Sequence, residues 1–256
     1  MTPSSFFSKW DEIISQWYSD KNALSKLMDD GKSLSLDHVP EPYYGNMENK
    51  GDCSIVIINL NPGTGLCEQC WHNQNIPKMM VNEIKKDGYS SFAKSFPMLD
   101  EKGPEPSINW WRIRKAWIDR ILTAKGVDIN KKPFAIELVP LHSKSFKVSD
   151  TNEYVKNMAK NHSDLSVIEA IKYAIGNSDA GMGIAVGKPI YDVLIDNGFE
   201  AFEEPFQPNS IKRKYAVIGR GSKAEILCTW SSGSNSAPSD NFIDYEKELL
   251  AKYFKS

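Results

Sequence analysis

Residues that could carry chemistry are concentrated in four loops of the sequence, at positions 61–70, 140–146, 187–189 and 229–235. The first loop opens with Asn61, which precedes a Pro-Gly turn signal. An amide accepts a proton poorly, so Asn61 would orient a water molecule through its carbonyl oxygen instead of acting as a strong base. The alternative is that Asn61 only caps this turn.

Each of these loops follows a segment that is predicted to be a strand. Unbroken apolar runs at 55–60, 134–138 and 183–186 predict strands buried on both faces, and paired strands are expected at 215–218 and 225–228. Helical spacing predicts helices at 1–30, 110–122, 152–174, 190–196 and 241–254, the last with Asp240 as its N-cap. This alternation is typical of an α/β domain with a mostly parallel sheet, which binds ligands at the carboxyl ends of its strands.

The composition is that of an ordinary globular protein. The 256 residues include 31 Lys and Arg and 33 Asp and Glu, so the formal net charge is −2, and 41% are hydrophobic. This balance excludes a nucleic-acid-binding protein that is basic over its whole surface, but not one with a local basic cleft. No apolar stretch approaches the ~20 residues of a membrane span, and the first residues lack a secretory pattern. Because the four cysteines also fit a reducing compartment, we expect a cytoplasmic protein with no membrane partner.

Four segments, taken in order, resemble the uracil-DNA glycosylase superfamily, most closely its mismatch-specific and single-strand-selective branches. Asn59-Leu60-Asn61-Pro62-Gly63 resembles the first active-site motif, Gly-x-Asn-Pro-Gly. Residues 134–141 resemble the strand that ends in a base-reading Asn and a Cys-Pro-Leu. Residues 184–191 resemble the segment Leu-Gly-Lys-x-Ala-Tyr, and residues 226–233 stand where the mismatch-specific branch has a strand and an Asn-Pro-Ser-Gly loop.

The resemblance implies a three-layer α/β/α fold with a central, mostly parallel four-stranded sheet. We expect one domain over residues 1–256, with residues 1–50 as a helical N-terminal extension packed on it. The implied activity is that of a monofunctional DNA glycosylase, which flips a damaged or modified base into a pocket and hydrolyses its N-glycosidic bond. The alternative is a catalytically inactive nucleic-acid-binding or interaction protein on the same fold, and a hydrolase of small nucleosides is a third hypothesis.

Base release requires a positioned water, donors for the leaving base and an aromatic ring that stacks on it. By the resemblance, Asn61 positions the water, and the backbone N–H groups that follow the proline, from Gly63 onward, donate to a base carbonyl. Where most branches have His or Asn, this sequence has Trp230, whose indole N–H can donate one hydrogen bond. Alternatively, Ser231 or Ser232 stabilises the leaving base.

The stacking ring has candidates on both sides of the expected pocket. Trp71 or His72 would supply it from the loop after the first motif, and Tyr43 and Tyr44 compete for the role on the other side. For Trp71 the alternative is a plain position in the hydrophobic core, as is common for tryptophan.

Glu137 is the clearest departure from the family pattern, because it stands where the uracil-reading enzymes have Asn. A carboxylate only accepts hydrogen bonds, so it would repel O4 of uracil and suit an exocyclic amino group, as on cytosine or adenine. The alternative is a one-residue shift of the alignment, with Glu137 in a salt bridge; either way a buried carboxylate needs a partner. His142 follows at the pocket rim, where it would polarise the base, contact phosphate or serve a structural role.

DNA is the partner that the resemblance implies, bound in one local basic cleft by a monomeric chain. The candidate contacts to the DNA backbone are Lys144, Ser231, Gly233, Ser234 and Asn235. Several basic residues gather near the strand ends although the net charge is only −2, so we expect binding that is modest and sensitive to salt.

Cys67 and Cys70 form a Cys-x-x-Cys segment, and with Cys53 and Cys228 the cysteine count reaches four. Other glycosylase branches hold an iron–sulfur cluster on four cysteines. In this sequence Cys53 opens one predicted strand and Cys228 closes another, which is not where the ligands of that cluster lie. We therefore expect no cofactor and no metal site.

Overall fold

The computed structural model describes residues 3–20, 24, 34–35, 38–63, 75–100, 106–143, 148–208, 212–231, 237–239 and 243–254. Contacts divide the chain into two compact units. The first unit comprises residues 1–46, 59–101 and 135–173, and the second comprises residues 47–58, 102–134 and 174–256.

Eight α-helices occur in the described residues. They are α1 (Pro3–Ser19), α2 (Asn75–Asp87), α3 (Tyr89–Ser95), α4 (Pro106–Lys125), α5 (Val148–Asn161), α6 (Val167–Asn177), α7 (Lys188–Asp196) and α8 (Ile243–Tyr253). The helices predicted at 110–122, 190–196 and 241–254 correspond to α4, α7 and α8, and α1 lies within the predicted segment 1–30. Asp240, the expected N-cap of the last helix, lies outside the described residues.

The segment 152–174, predicted to be helical, contains parts of two helices and not one continuous helix. Helix α5 ends at Asn161, a 3-10 turn follows at Ser163–Leu165, and α6 begins at Val167. The break falls in the polar run Asn161-His162-Ser163-Asp164. Side chains of Asn, Ser and Asp compete with the helix for backbone hydrogen bonds, which explains why the helix stops there.

Nine strands occur in the described residues. They are β1 (Leu34–Ser35), β2 (Tyr43–Tyr44), β3 (Val56–Asn59), β4 (Phe134–Glu137), β5 (His142–Ser143), β6 (Gly183–Val186), β7 (Glu200–Ala201), β8 (Arg213–Arg220) and β9 (Lys223–Ser231). Seven of them form one sheet in the order β2-β4-β3-β6-β9-β8-β7, and β1 pairs separately with β5. The α/β class is confirmed, whereas the four-stranded sheet is wrong because β2, β7 and β8 extend it.

The sheet is mixed. Strand β6 pairs in parallel with β3 and with β9. Strand β4 runs in the same direction as β3, since Phe134 N donates to Ile55 O and Leu138 N donates to Asn59 O. The pairs β2–β4, β7–β8 and β8–β9 are antiparallel. Four neighbouring strands are therefore parallel, and each strand added outside them pairs antiparallel with its neighbour.

Helix α1 contributes to the core of the first unit. Phe6, Trp10 and Ile14 are buried and lie four residues apart, so they share one face of the helix. On the same helix, Asp11 accepts hydrogen bonds from the backbone N–H of Ser90 at 2.7 Å and from its hydroxyl at 2.5 Å. These bonds attach α1 to the start of α3.

The second unit contains the long hairpin of β8 and β9. A bulge occurs at Ile218 and Gly219, and a Cβ at position 219 would lie 2.0 Å from the carbonyl oxygen of Lys223. Only glycine permits this close approach of the two backbones.

No helix among the described residues of the chain is long and apolar enough to cross a membrane.

Candidate functional site

Backbone hydrogen bonds in the first unit hold three segments side by side at the carboxyl ends of β3 and β4. Val139 N donates to Leu60 O at 3.0 Å, and Ser143 N donates to Gly63 O at 2.9 Å. Residues 41–42 join them, because Glu41 N donates to Pro140 O at 2.8 Å and Glu137 N donates to Pro42 O at 3.0 Å. We name the polar side chains of these segments the strand-end cluster: Glu41, Asn59, Asn61, Glu137 and His142.

Asn61 lies two residues beyond the end of β3 and is half-buried. Its amide nitrogen is buried and has no hydrogen-bond partner among the described residues. Buried polar groups are nearly always paired with protein or water, so an unpaired amide marks a place where a water or a ligand group fits. Gly63 completes the turn with φ 83°, a conformation that favours glycine. Asn61, the polar side chain expected after the first predicted strand, is therefore present at that place, and its amide nitrogen can still donate a hydrogen bond.

Glu137 is the last residue of β4 and is 6% exposed. The partner that this buried carboxylate requires is the side chain of Asn59, whose amide nitrogen donates to Glu137 Oε1 at 2.9 Å. Asn59 is a neutral amide, so this particular contact is a hydrogen bond and not a salt bridge. A carboxylate has two oxygens and about four lone-pair directions, so it can accept hydrogen bonds from several donors at once.

Asn59 was not singled out by sequence reasoning, although a signal was present. It is the one polar residue in the apolar run 55–60, and it is 7% exposed at the end of β3. Polar side chains in a buried strand must find a partner, and the end of the adjacent parallel strand supplies one. The polar residue at the end of each apolar run is thus a signal that could have linked Asn59 to Glu137.

The buried His142 pairs with the half-buried Glu41. The Nε2 atom of His142 lies 2.9 Å from Glu41 Oε1, and the hydroxyl of Tyr44 donates to Glu41 Oε2. Burial, followed by the nearby charge of Glu41, raises the pKa of Tyr44 well above its ordinary range, so this hydroxyl stays protonated. The ring of His38 lies 5.2 Å from the ring of His142. Glu41 is a further residue that sequence reasoning missed, since no local pattern distinguishes it.

Tyr43, a candidate for stacking on a base, belongs to an aromatic cluster in the first unit. It is 3% exposed, and its ring centroid lies 4.9 Å from that of Phe7 and 5.4 Å from that of Tyr89. Its hydroxyl is 2.8 Å from that of Ser90. A ring enclosed in this way cannot stack on an incoming base without moving, so the structure assigns Tyr43 to core packing and corrects the expectation.

Trp230 and Ser231 belong to the second unit, and both lie in a strand. The strand predicted to end at Cys228 continues as β9 to Ser231, where it pairs with Arg213 of β8. Trp230 is buried, and its ring centroid lies 5.1 Å from that of Tyr191. The expectation of a loop starting at 229 is therefore corrected: antiparallel pairing with β8 extends the strand.

Several expected site residues lie outside the described residues. These are Trp71, His72, Lys144, Ser232, Gly233, Ser234 and Asn235, together with Cys67 and Cys70. The other two cysteines are buried free thiols. Burial raises the pKa of the Cys53 thiol to about 12 and raises that of Cys228 as well, so both stay protonated at neutral pH. Within the described part of the chain, no group of three His, Cys, Asp or Glu side chains could hold a metal ion.

The strand-end cluster combines three chemically different groups at one edge. The amide of Asn61 can orient a water, the carboxylate of Glu137 can accept from a donor, and the imidazole of His142 can exchange a proton. Such sheet edges are where ligands of parallel sheets bind. Comparison of the chain with protein-family models, curated proteins and solved structures found no match.

Proposed function

We propose that this chain is a DNA glycosylase-like hydrolase, which holds an extruded base at the strand-end cluster and hydrolyses its N-glycosidic bond. The proposal rests on two side chains at the carboxyl ends of β3 and β4, one suited to bind water and the other suited to accept a hydrogen bond from a base. One is the amide of Asn61, whose nitrogen has no partner in the described part of the chain, and the other is the buried carboxylate of Glu137. The first offers a place for water and the second offers an acceptor for a base. The α/β class of the chain is also the fold class that the resemblance implies.

The substrate class follows from the acceptor-only chemistry of Glu137. A carboxylate favours an exocyclic amino group, such as that on cytosine or adenine, and repels the O4 carbonyl of uracil. The bond from Asn59 fixes the carboxylate in its position at the strand end. The proposed substrate is therefore an amino-bearing or modified base in DNA, and uracil is a poor one.

The reaction needs a water near the sugar as positive charge develops on it. Cleavage of the glycosidic bond gives the sugar oxocarbenium character and leaves negative charge on the departing base. Asn61 orients the water for attack, which lowers the barrier mainly by positioning. The proposed donor for the departing base is the backbone N–H of Gly63, in the same unit as the strand-end cluster.

DNA contact is proposed to be local. The chain carries a formal net charge of −2, so attraction to phosphate depends on a few basic residues near the strand ends. Lys144, Gly233, Ser234 and Asn235 are the proposed contacts, together with Ser231. Affinity should be modest and should fall steeply as salt is raised.

The test is a panel of single- and double-stranded oligonucleotides with one uracil, cytosine, adenine, hydroxymethylcytosine or glucosylated hydroxymethylcytosine, assayed for alkali-labile abasic sites. The same panel is run with Asn61→Ala and with the matched surface change Asn161→Ala. We expect release of at least one amino-bearing base, a fall of about 100-fold in Asn61→Ala and no change in Asn161→Ala. Release that is unchanged in Asn61→Ala would exclude the assigned mechanism.

A second candidate is a non-catalytic nucleic-acid-binding or interaction protein on the same fold. The observation that favours it is the bond from Asn59, which gives Glu137 an internal partner in the absence of any substrate. Binding of the oligonucleotides without release of any base would support this candidate. Release from free nucleosides alone would instead indicate a small-nucleoside hydrolase.

A further inference from the structure

Hydrolysis with a water oriented by Asn61 also needs a group that accepts a proton. An amide orients water but cannot usefully accept the proton that the attacking water must lose. We propose that His142 accepts this proton as the general base of the reaction and that Glu41 positions it. This inference rests on the proposed function and assigns a role to two residues that the resemblance does not pair.

The geometry of the pair determines which ring nitrogen is available. A carboxylate can only accept, so the contact of 2.9 Å between Glu41 Oε1 and His142 Nε2 places the hydrogen on Nε2. Nδ1 then keeps its lone pair and is the basic atom. The hydroxyl of Tyr44 donates to the other oxygen of Glu41, which fixes the carboxylate from its far side.

The basic nitrogen of His142 is buried and has no hydrogen-bond partner among the described residues. The residue as a whole is 7% exposed, so this nitrogen is kept from bulk water. A buried acceptor of this kind indicates a site for a bound donor such as water. The backbone bond from Ser143 N to Gly63 O places His142 next to the loop that begins with Asn61.

The proposed step breaks the bond between C1′ of the sugar and the nitrogen of the base, and the electron pair of that bond stays on the base. The oxygen of the water forms a bond to C1′ and gives one proton to Nδ1 of His142. The imidazolium, stabilised by Glu41 through Nε2–H, then returns the proton to the departing base or to solvent.

The test compares the full-length chain with His142→Asn and Glu41→Gln. His162→Asn at a half-buried position and Glu153→Gln at an exposed position serve as matched controls. Release is measured across pH, on the panel oligonucleotide that the unmodified chain cleaves fastest. The tautomer of His142 is read independently by nitrogen-15 NMR of histidine-labelled protein. The titratable groups that face His142 among the described residues are Glu41 and His38, with Tyr44 beyond Glu41.

We expect His142→Asn to lower the release rate about 100-fold and to remove the loss of activity at acid pH. Glu41→Gln should lower the rate about 10-fold, because a neutral amide stabilises the imidazolium less than a carboxylate does, while both controls stay unchanged. An unmodified chain with the hydrogen on Nδ1, or variants with the rate and pH profile of the unmodified chain, would overturn the inference while leaving the proposed function intact. No release from any oligonucleotide by the unmodified chain would overturn both.

Discussion

Two buried carboxyl groups, one in each unit, are held in contrasting ways. Glu137 ends strand β4, accepts a hydrogen bond from Asn59, and belongs to a cluster with the half-buried Asn61. Glu246 lies within helix α8 and is 1% exposed, with its Oε1 accepting from Trp117 Nε1 at 3.0 Å and from the hydroxyl of Tyr215 at 3.1 Å. A carboxyl at strand ends can meet a ligand, whereas one enclosed by a helix and a strand serves stability.

Glu246 also has an altered pKa because it is buried. Burial raises its pKa from 4.5 to about 7, although the two hydrogen bonds and the charges of Arg120 and Arg213 act in the opposite direction. Near neutral pH a large fraction of the folded protein therefore holds this group uncharged. The second unit keeps a carboxylic acid in its core, and this makes its stability sensitive to alkali.

The largest effect is expected from Asn59→Asp, which replaces the amide donor to Glu137 with a second carboxyl group. Two buried carboxyl groups at hydrogen-bond distance cannot both ionise and must share a proton. We expect a loss of about 4 kcal/mol in the free energy of unfolding at pH 7.5, with much of it recovered at pH 5. Urea unfolding at the two pH values measures this.

The matched control for that change is Asn161→Asp on the surface of α5. It should alter the free energy of unfolding by less than about 0.5 kcal/mol at either pH. Equal stability of Asn59→Asp and the unmodified chain at pH 7.5 would show that Asn59 and Glu137 are not packed as described.

The next largest effect is the change in the free energy of unfolding of the unmodified chain as the pH rises. Because the folded-state pKa of Glu246 is raised, its contribution is complete below pH 4.5 and is lost as the pH rises to about 7 and beyond. The loss that this group alone causes is about 3 kcal/mol. Glu246→Gln keeps an acceptor for both donors but cannot ionise, so its stability should fall less between pH 5 and pH 8.

The test compares the free energy of unfolding at pH 5, 6, 7 and 8 for the unmodified chain, Glu246→Gln and Glu248→Gln. Glu248 is exposed on the same helix, so its variant should keep the pH dependence of the unmodified chain. If Glu246→Gln keeps that dependence as well, Glu246 is not the group that titrates.

A smaller effect is expected from Trp117→Phe, which removes the indole donor to Glu246 and keeps an aromatic ring in the core. The lost hydrogen bond and the small cavity should cost about 1.5 kcal/mol. Trp110→Phe on the same helix is the control, since Trp110 is 37% exposed, and it should cost about 0.5 kcal/mol or less. Thermal unfolding of both variants distinguishes them, and equal losses would contradict the assignment of the Trp117 contact.

Local patterns in the sequence predicted the elements that bury apolar side chains. Strand β6 has the predicted bounds, and helix α4 contains the predicted helix 110–122. The two-residue strands β1, β2, β5 and β7 have no pattern of their own, because a strand of that length shows no period. They exist only through pairing with other parts of the chain.

The candidate site was predictable only in part, and the reason is the distance along the chain. Asn61 and Glu137 follow apolar runs, so their positions at strand ends could be inferred. Glu41 contacts His142 across 101 residues and Asn59 contacts Glu137 across 78. Such pairs are created by the sheet order, which no local pattern encodes.

We propose that the carboxylate of Glu137 selects an amino-bearing base at the strand-end cluster. The most direct measurement is the rate of base release from matched oligonucleotides with uracil or an amino-bearing base, for the unmodified chain, Glu137→Asn and the surface control Glu153→Asn. We predict that the unmodified chain and the control release the amino-bearing base at least about 10-fold faster than uracil, and that Glu137→Asn shifts the preference toward uracil. Efficient release of uracil by the unmodified chain would contradict the claim.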